Sequence, residues 1–195
     1  MFCERKAAQI AAYLLNKANG SMPHLKLMKL MYLADRLCYE RYERSMSNDD
    51  AVSMDYGPVL SKTYNLMKGE TESASWSSYI SPIKNNEISL VADISSSSLD
   101  GEIFFFKLGK LSRADVKVLD EVYSMYEHMT QFDLSDYTHE FPEWQNPHGS
   151  SVPISVAAIL RAVGKEPEVI EQVVEELEER EELVSPFFNW LQAAR

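Results

Sequence analysis

From Leu25 to Tyr39, eleven of fifteen residues are apolar: Leu25, Leu27, Met28, Leu30, Met31, Tyr32, Leu33, Ala34, Leu37, Cys38 and Tyr39. Wound at 3.6 residues per turn, such a run has no broad polar face, and a helix that is apolar nearly all round is buried nearly all round. The stretch from His24 to Arg44 therefore reads as a central helix around which the other elements pack. Lys26, Lys29 and Arg36 share one angular sector and are expected to form its single wet edge. Ser21 and Pro23 suit its cap and first turn.

The flanking sequence supplies the packing partners. Ala7, Ile10, Ala11, Leu14 and Ala18 mark a first helix ended by Asn19-Gly20. Ala51 to Tyr56 reads as a short extended piece, and Pro58 to Lys68 as a helix closed by Gly69, with Gly57-Pro58 as the strand-to-helix corner. Residues 70 to 78 lack periodicity and read as a loop. Asn85-Asn86, between Tyr79 to Lys84 and Glu87 to Val91, predicts a two-residue hairpin turn, with Pro82 marking an edge strand. Glu102 to Leu108 is expected to add a third strand. Ser112 and Asp115 form a capping-box pattern before Val116, Leu119, Val122, Tyr123, Tyr126 and Met129. Short helices are expected over Asp133 to Glu140 and Pro153 to Val163. A last amphipathic helix begins near Pro167, with Val169, Ile170, Val173, Val174, Leu177 and Val184 on one face and glutamates on the others. The class is α+β, mainly α: a helical domain about the central helix (about 24 to 44), a small hairpin or sheet (about 79 to 107) and an acidic C-terminal helix. The division expected is a domain over 1 to 165 and an extension over 166 to 195.

At 195 residues the chain can bury a core without metals or disulfides, and Cys3 and Cys38 lie too far apart to suggest either. With no secretory pattern and no apolar run near membrane-spanning length, a cytoplasmic protein is expected. The net charge of -11 is uneven: residues 1 to 100 contribute -1, residues 101 to 165 contribute -3, and residues 166 to 195 contribute -7. That sign disfavours nucleic acid, whose phosphates require Lys and Arg. A basic protein partner suits it better. The tail offers possible contacts at Glu175, Glu179, Phe187 and Trp190, with glutamates to attract such a partner and aromatics to anchor it.

Chemistry is hard to place on this chain. His24, His128, His139 and His148 show no metal-ligand spacing, and Cys38 lies in the most apolar helix, where a thiol behaves as a small hydrophobe. Gly57-Pro58 is a poor phosphate loop, because there is one glycine and the proline removes an amide that would donate. No catalytic residue, metal or cofactor is expected.

Three blocks taken together resemble a known family: Leu27 to Asp35, then Asp55-Tyr56-Gly57-Pro58-Val59, then Leu134 to Glu140 with Trp144. Their order and spacing are similar to the signature of the Panacea domain of SocA-like antitoxins, a family also found in prophages, over roughly residues 5 to 165. The resemblance implies a non-enzymatic bacterial protein of mixed, mainly helical fold that neutralises a toxin encoded beside it by direct binding. It also implies an alternative, a proteolytic adaptor or phage or host accessory protein that engages a regulator or a AAA+ protease. Lys29, Tyr32, Tyr56, Gly57, Pro58, Thr138, His139 and Trp144 carry the signature as expected partner-binding or fold-defining positions.

Overall fold

The computed structural model describes residues 1–91 and 108–193, with backbone alone at 181 and 184–193. Helix α1 (Glu4–Lys17) and helix α2 (His24–Tyr42) form its axis. Burial is unbroken from Ala7 to Leu15 and from Leu27 to Asp35, as expected of helices covered on all sides. The angular-sector expectation fails at one position: Lys29 is 0% exposed, whereas Lys26 and Arg36 are half-buried. Gln9, the polar residue in the buried stretch of α1, is satisfied at both ends. Its Nε2 donates to the Tyr79 hydroxyl (2.9 Å) and its Oε1 accepts from the Lys110 amide (2.8 Å).

Ser21–Pro23 forms a strand, β1, rather than the cap of α2. It pairs antiparallel with β4 (Glu87–Ser89), which places Met22 opposite Ile88, both buried. The Asn85-Asn86 turn forms with φ of 53° and 65°, closed by reciprocal bonds between Lys84 and Glu87. Among the described residues its first arm makes the isolated bridges Ile80↔Leu90 and Lys84↔Glu87 and no longer ladder. Pro82 has no amide to extend that ladder, so β4 completes its pairing on β1. The first amide of α2, His24 N–H, then donates to the Asn86 carbonyl (2.9 Å), so the hairpin turn supplies the cap.

A three-stranded antiparallel sheet, ordered β3-β2-β5, covers one flank of α2: β2 is Ala51–Met54, β3 is Gly57–Leu60 and β5 is Val152–Ile154. Two expected helix starts are thereby displaced. Pro58 lies in β3 opposite Ser53 and Pro153 in β5 opposite Val52, each on an edge strand where a missing N–H is tolerated. Helix α3 (Ser61–Lys68) begins only where Asp49 caps it, accepting from the Lys62 amide (2.9 Å), the Thr63 amide (2.7 Å) and the Thr63 hydroxyl (2.6 Å). Helix α4 (Ala74–Ser77), one turn capped by Ser73, occupies the expected loop and buries Trp76.

Helix α5 (Arg113–Tyr126) has the Ser112/Asp115 capping box, and helix α6 (Gln131–His139) has a second one at Thr130/Asp133 that starts it two residues before the expected position. Helix α7 (Val156–Ala162) is capped by Ser155. Helix α8 (Pro167–Ala193) packs on α7, covering Val169, Ile170, Val173 and Leu177 while Glu175, Glu176, Glu178 and Glu179 face water. The expected strand over 102–108 lies outside the described residues except for Leu108. The class is α+β, mainly α, with eight helices among the described residues. None of these is long and apolar enough to cross a membrane.

Candidate partner-binding site at the hairpin tip

The β2–β3 hairpin turns at Asp55-Tyr56, and the backbone groups there would be orphaned unless something met them. Side chains from three separate segments do so. Trp144 Nε1 donates to the Met54 carbonyl (3.2 Å), His139 Nε2 to the Asp55 carbonyl (3.0 Å), Ser135 Oγ to the Tyr56 carbonyl (3.0 Å) and Lys29 Nζ to the Pro58 carbonyl (2.9 Å). A carbonyl only accepts, so the His139 proton is on Nε2. The Asp55 carboxylate takes the Gly149 amide (3.0 Å) and Ser53 Oγ takes the Gln145 amide (3.1 Å), so the loop after α6 is tied to the same hairpin.

Close approach is what permits this arrangement. Gly57 has φ +91°, the glycine position that follows a tight turn in a hairpin. A Cβ there would stand 2.6 Å from Thr138 Oγ1, 2.7 Å from Lys29 Nζ and 3.4 Å from His139 Cδ2. The Thr138 hydroxyl is turned back on its own helix, within 2.9 Å of the Leu134 carbonyl and 3.0 Å of the Ser135 carbonyl. The His139 and Trp144 rings lie 4.3 Å apart, which aligns both donors along the hairpin. Burial pushes the Lys29 amine down to about 7.

Tyr32 enters one step removed. Its hydroxyl donates to Glu143 Oε1 (2.9 Å), which also receives Arg36 Nε (2.7 Å), and the Arg36 guanidinium covers the Phe141 ring at 4.2 Å. This buried pair holds the segment that carries Trp144. Burial together with the Glu143 carboxylate holds the Tyr32 phenol in its protonated form.

The structure thus gathers Lys29, Tyr56, Gly57, Pro58, Thr138, His139 and Trp144 around one hairpin tip, with Tyr32 bracing it from behind. Ser135, Glu143 and Gly149 belong to the same assembly and were not legible as participants. Serine, glutamate and glycine carry no local signal until the hairpin is in place. Glu175 and Glu179 are exposed on α8, and the side chains of Phe187 and Trp190 lie outside the described residues. Cys38 is fully buried, and burial, reinforced by the Asp35 charge, pushes its thiol up to about 12, which suits packing and not attack.

Of the signature side chains, only that of Tyr56 is turned outward, with 63% of its surface exposed. The family model for the SocA-like antitoxin, Panacea domain, matches residues 27–145, well over half of the chain. The chain belongs to the SocA-like antitoxin family. Its Panacea domain match opens at Leu27, two residues before Lys29, and closes at Gln145, directly after Trp144. The matched span is therefore bracketed by the side chains that clamp the hairpin. Helix α1 lies outside the Panacea match yet shares its core, through the unbroken burial of Ala7 to Leu15. No curated protein and no solved structure matches the chain.

Proposed function

We propose that this Panacea-domain chain is an antitoxin that neutralises a protein toxin encoded beside it by direct binding, without chemistry of its own. The observation that carries the reading is how the signature residues are used. Lys29, His139 and Trp144, joined by Ser135, each donate to a hairpin carbonyl, which holds the tip in one shape. Catalysis needs a group free to touch a reacting atom, whereas recognition needs a surface held in one shape. The family match supports a toxin as the partner. The setting we propose is the cytoplasm, where Cys3 and Cys38 stay as free thiols.

The test is co-expression of the full chain with the product of the adjacent reading frame. Growth arrested by that product alone is expected to resume with both, and the two proteins are expected to co-purify. Persistent arrest with both proteins soluble would reject the reading. Rescue accompanied by loss of the toxin, reversed in cells lacking a AAA+ protease, would show that binding serves delivery to the protease rather than occlusion.

A further inference from the structure

We propose that the hairpin tip at Asp55 and Tyr56, together with the exposed side of α6 at Phe132, Asp136 and Glu140, is the surface that docks the toxin. We further propose that it fits a basic protein surface with an apolar recess for the Tyr56 ring. The inference rests on the antitoxin reading and assigns that function to one face of the molecule.

Large exposed rings mark this face. Tyr56 is 63% exposed and Phe132 is 60% exposed. Phe132 precedes Ser135 by one helical turn, and Ser135 holds the Tyr56 carbonyl, so the two rings belong to neighbouring parts of one surface. The Tyr56 hydroxyl makes no hydrogen bond among the described residues, and its backbone alone is used to hold the tip. Aromatic side chains on a pre-ordered backbone lose little further freedom on binding, which is the property of an interface anchor.

Charge supplies the chemistry of the occupant. Residues 45 to 61 and residues 131 to 150, which build the tip and all of the clamp except Lys29, contain no lysine or arginine. Asp55, Asp133, Asp136 and Glu140 are exposed there. Two cations of α2 reach towards this face and neither is free on it: Lys29 is wholly buried on the Pro58 carbonyl (2.9 Å), and Lys26 is committed to the Glu127 and Met129 carbonyls (both 2.7 Å). A face of one sign around two rings repels phosphates and draws Lys and Arg. The exposed Glu175, Glu176, Glu178 and Glu179 of α8 share the sign, so they test charge apart from the tip. Glu175 and Glu179 serve as the control for charge alone.

The experiment measures affinity between the full chain and the toxin from the adjacent reading frame by calorimetry, with growth rescue in parallel. Tyr56→Ala and Asp136→Lys are each expected to weaken binding by at least about tenfold, with melting temperatures within about 2 °C of the parent. Glu175→Lys combined with Glu179→Lys is expected to leave affinity within about threefold. A parent that binds and rescues, with Tyr56→Ala and Asp136→Lys binding equally well, would overturn this surface while leaving the antitoxin reading intact. A parent that neither binds nor rescues would overturn both. Loss confined to the α8 variant would move the interface to the acidic helix.

Discussion

Gly57 is the residue on which the hairpin tip depends. Two costs would meet in any side chain placed there: a backbone at φ +91°, where L-residues are strained, and contacts of 2.6 and 2.7 Å with Thr138 Oγ1 and Lys29 Nζ. Lys29 is the terminus of a flexible chain but is wholly buried, so it has little room to move aside. Gly57→Ala is therefore expected to destabilise the fold by about 2–4 kcal/mol, read from urea unfolding midpoints. A loss below about 0.5 kcal/mol would mean that the tip is looser than its hydrogen bonds imply. The need for glycine is legible in the sequence, because a Gly-Pro pair between extended and helical patterns marks a change of direction. What the glycine makes room for is not legible, since Lys29, Thr138 and His139 approach it from segments 28 to 82 positions away. Lys29 itself reads as a surface cation on angular grounds, and it is buried because β3 lies over that sector and offers a carbonyl.

At the level of elements, helix starts divide into those capped from nearby and those capped from far away. The boxes at Ser112/Asp115 and Thr130/Asp133 are encoded within four residues, so α5 begins where the pattern places it. Helix α3 is the opposite case. Its cap, Asp49, stands 13 residues before Lys62 and reaches it only because β2 and β3 pair and bring the two together. Pro58 then reads as a first helical residue although it is an edge-strand residue, since both positions favour proline for the same reason, the absent N–H. Asp49→Ala is expected to cost about 1–3 kcal/mol and to speed hydrogen exchange at the Lys62 and Thr63 amides, with a smaller loss for Asp49→Asn. Exchange that quickens uniformly through the chain would show that the carboxylate serves the whole fold rather than this helix end.

For the whole molecule, the pH dependence of stability reports the buried cation. Lys29 titrates near 7 when folded and near 10.5 when unfolded, so between those values the unfolded chain holds a proton that the folded chain has released. Stability from this group therefore rises with pH across the window and is at its lowest below about 7, where the buried amine is charged. Above pH 10 the buried phenols Tyr13, Tyr32 and Tyr39, all held protonated by burial first of all, act in the opposite direction. Unfolding of the parent and of Lys29→Met, measured from pH 7 to 9.5, is expected to show a positive slope in the parent that the variant lacks relative to it. Parallel profiles would show that the amine is not desolvated. The sequence by itself determined the buried central helix, the mainly helical class, the acidic tail and the family signature, because each rests on periodicity, composition or spacing along one stretch of chain. Only the tertiary structure decided that Gly57-Pro58 belongs to a strand, that Lys29 is internal, and that four carbonyls of one hairpin are held by side chains from α2, from α6 and from the loop after α6. It also settled which way Tyr56 points, outward, because a side chain's direction depends on which backbone groups its neighbours bind, and those neighbours are distant in sequence.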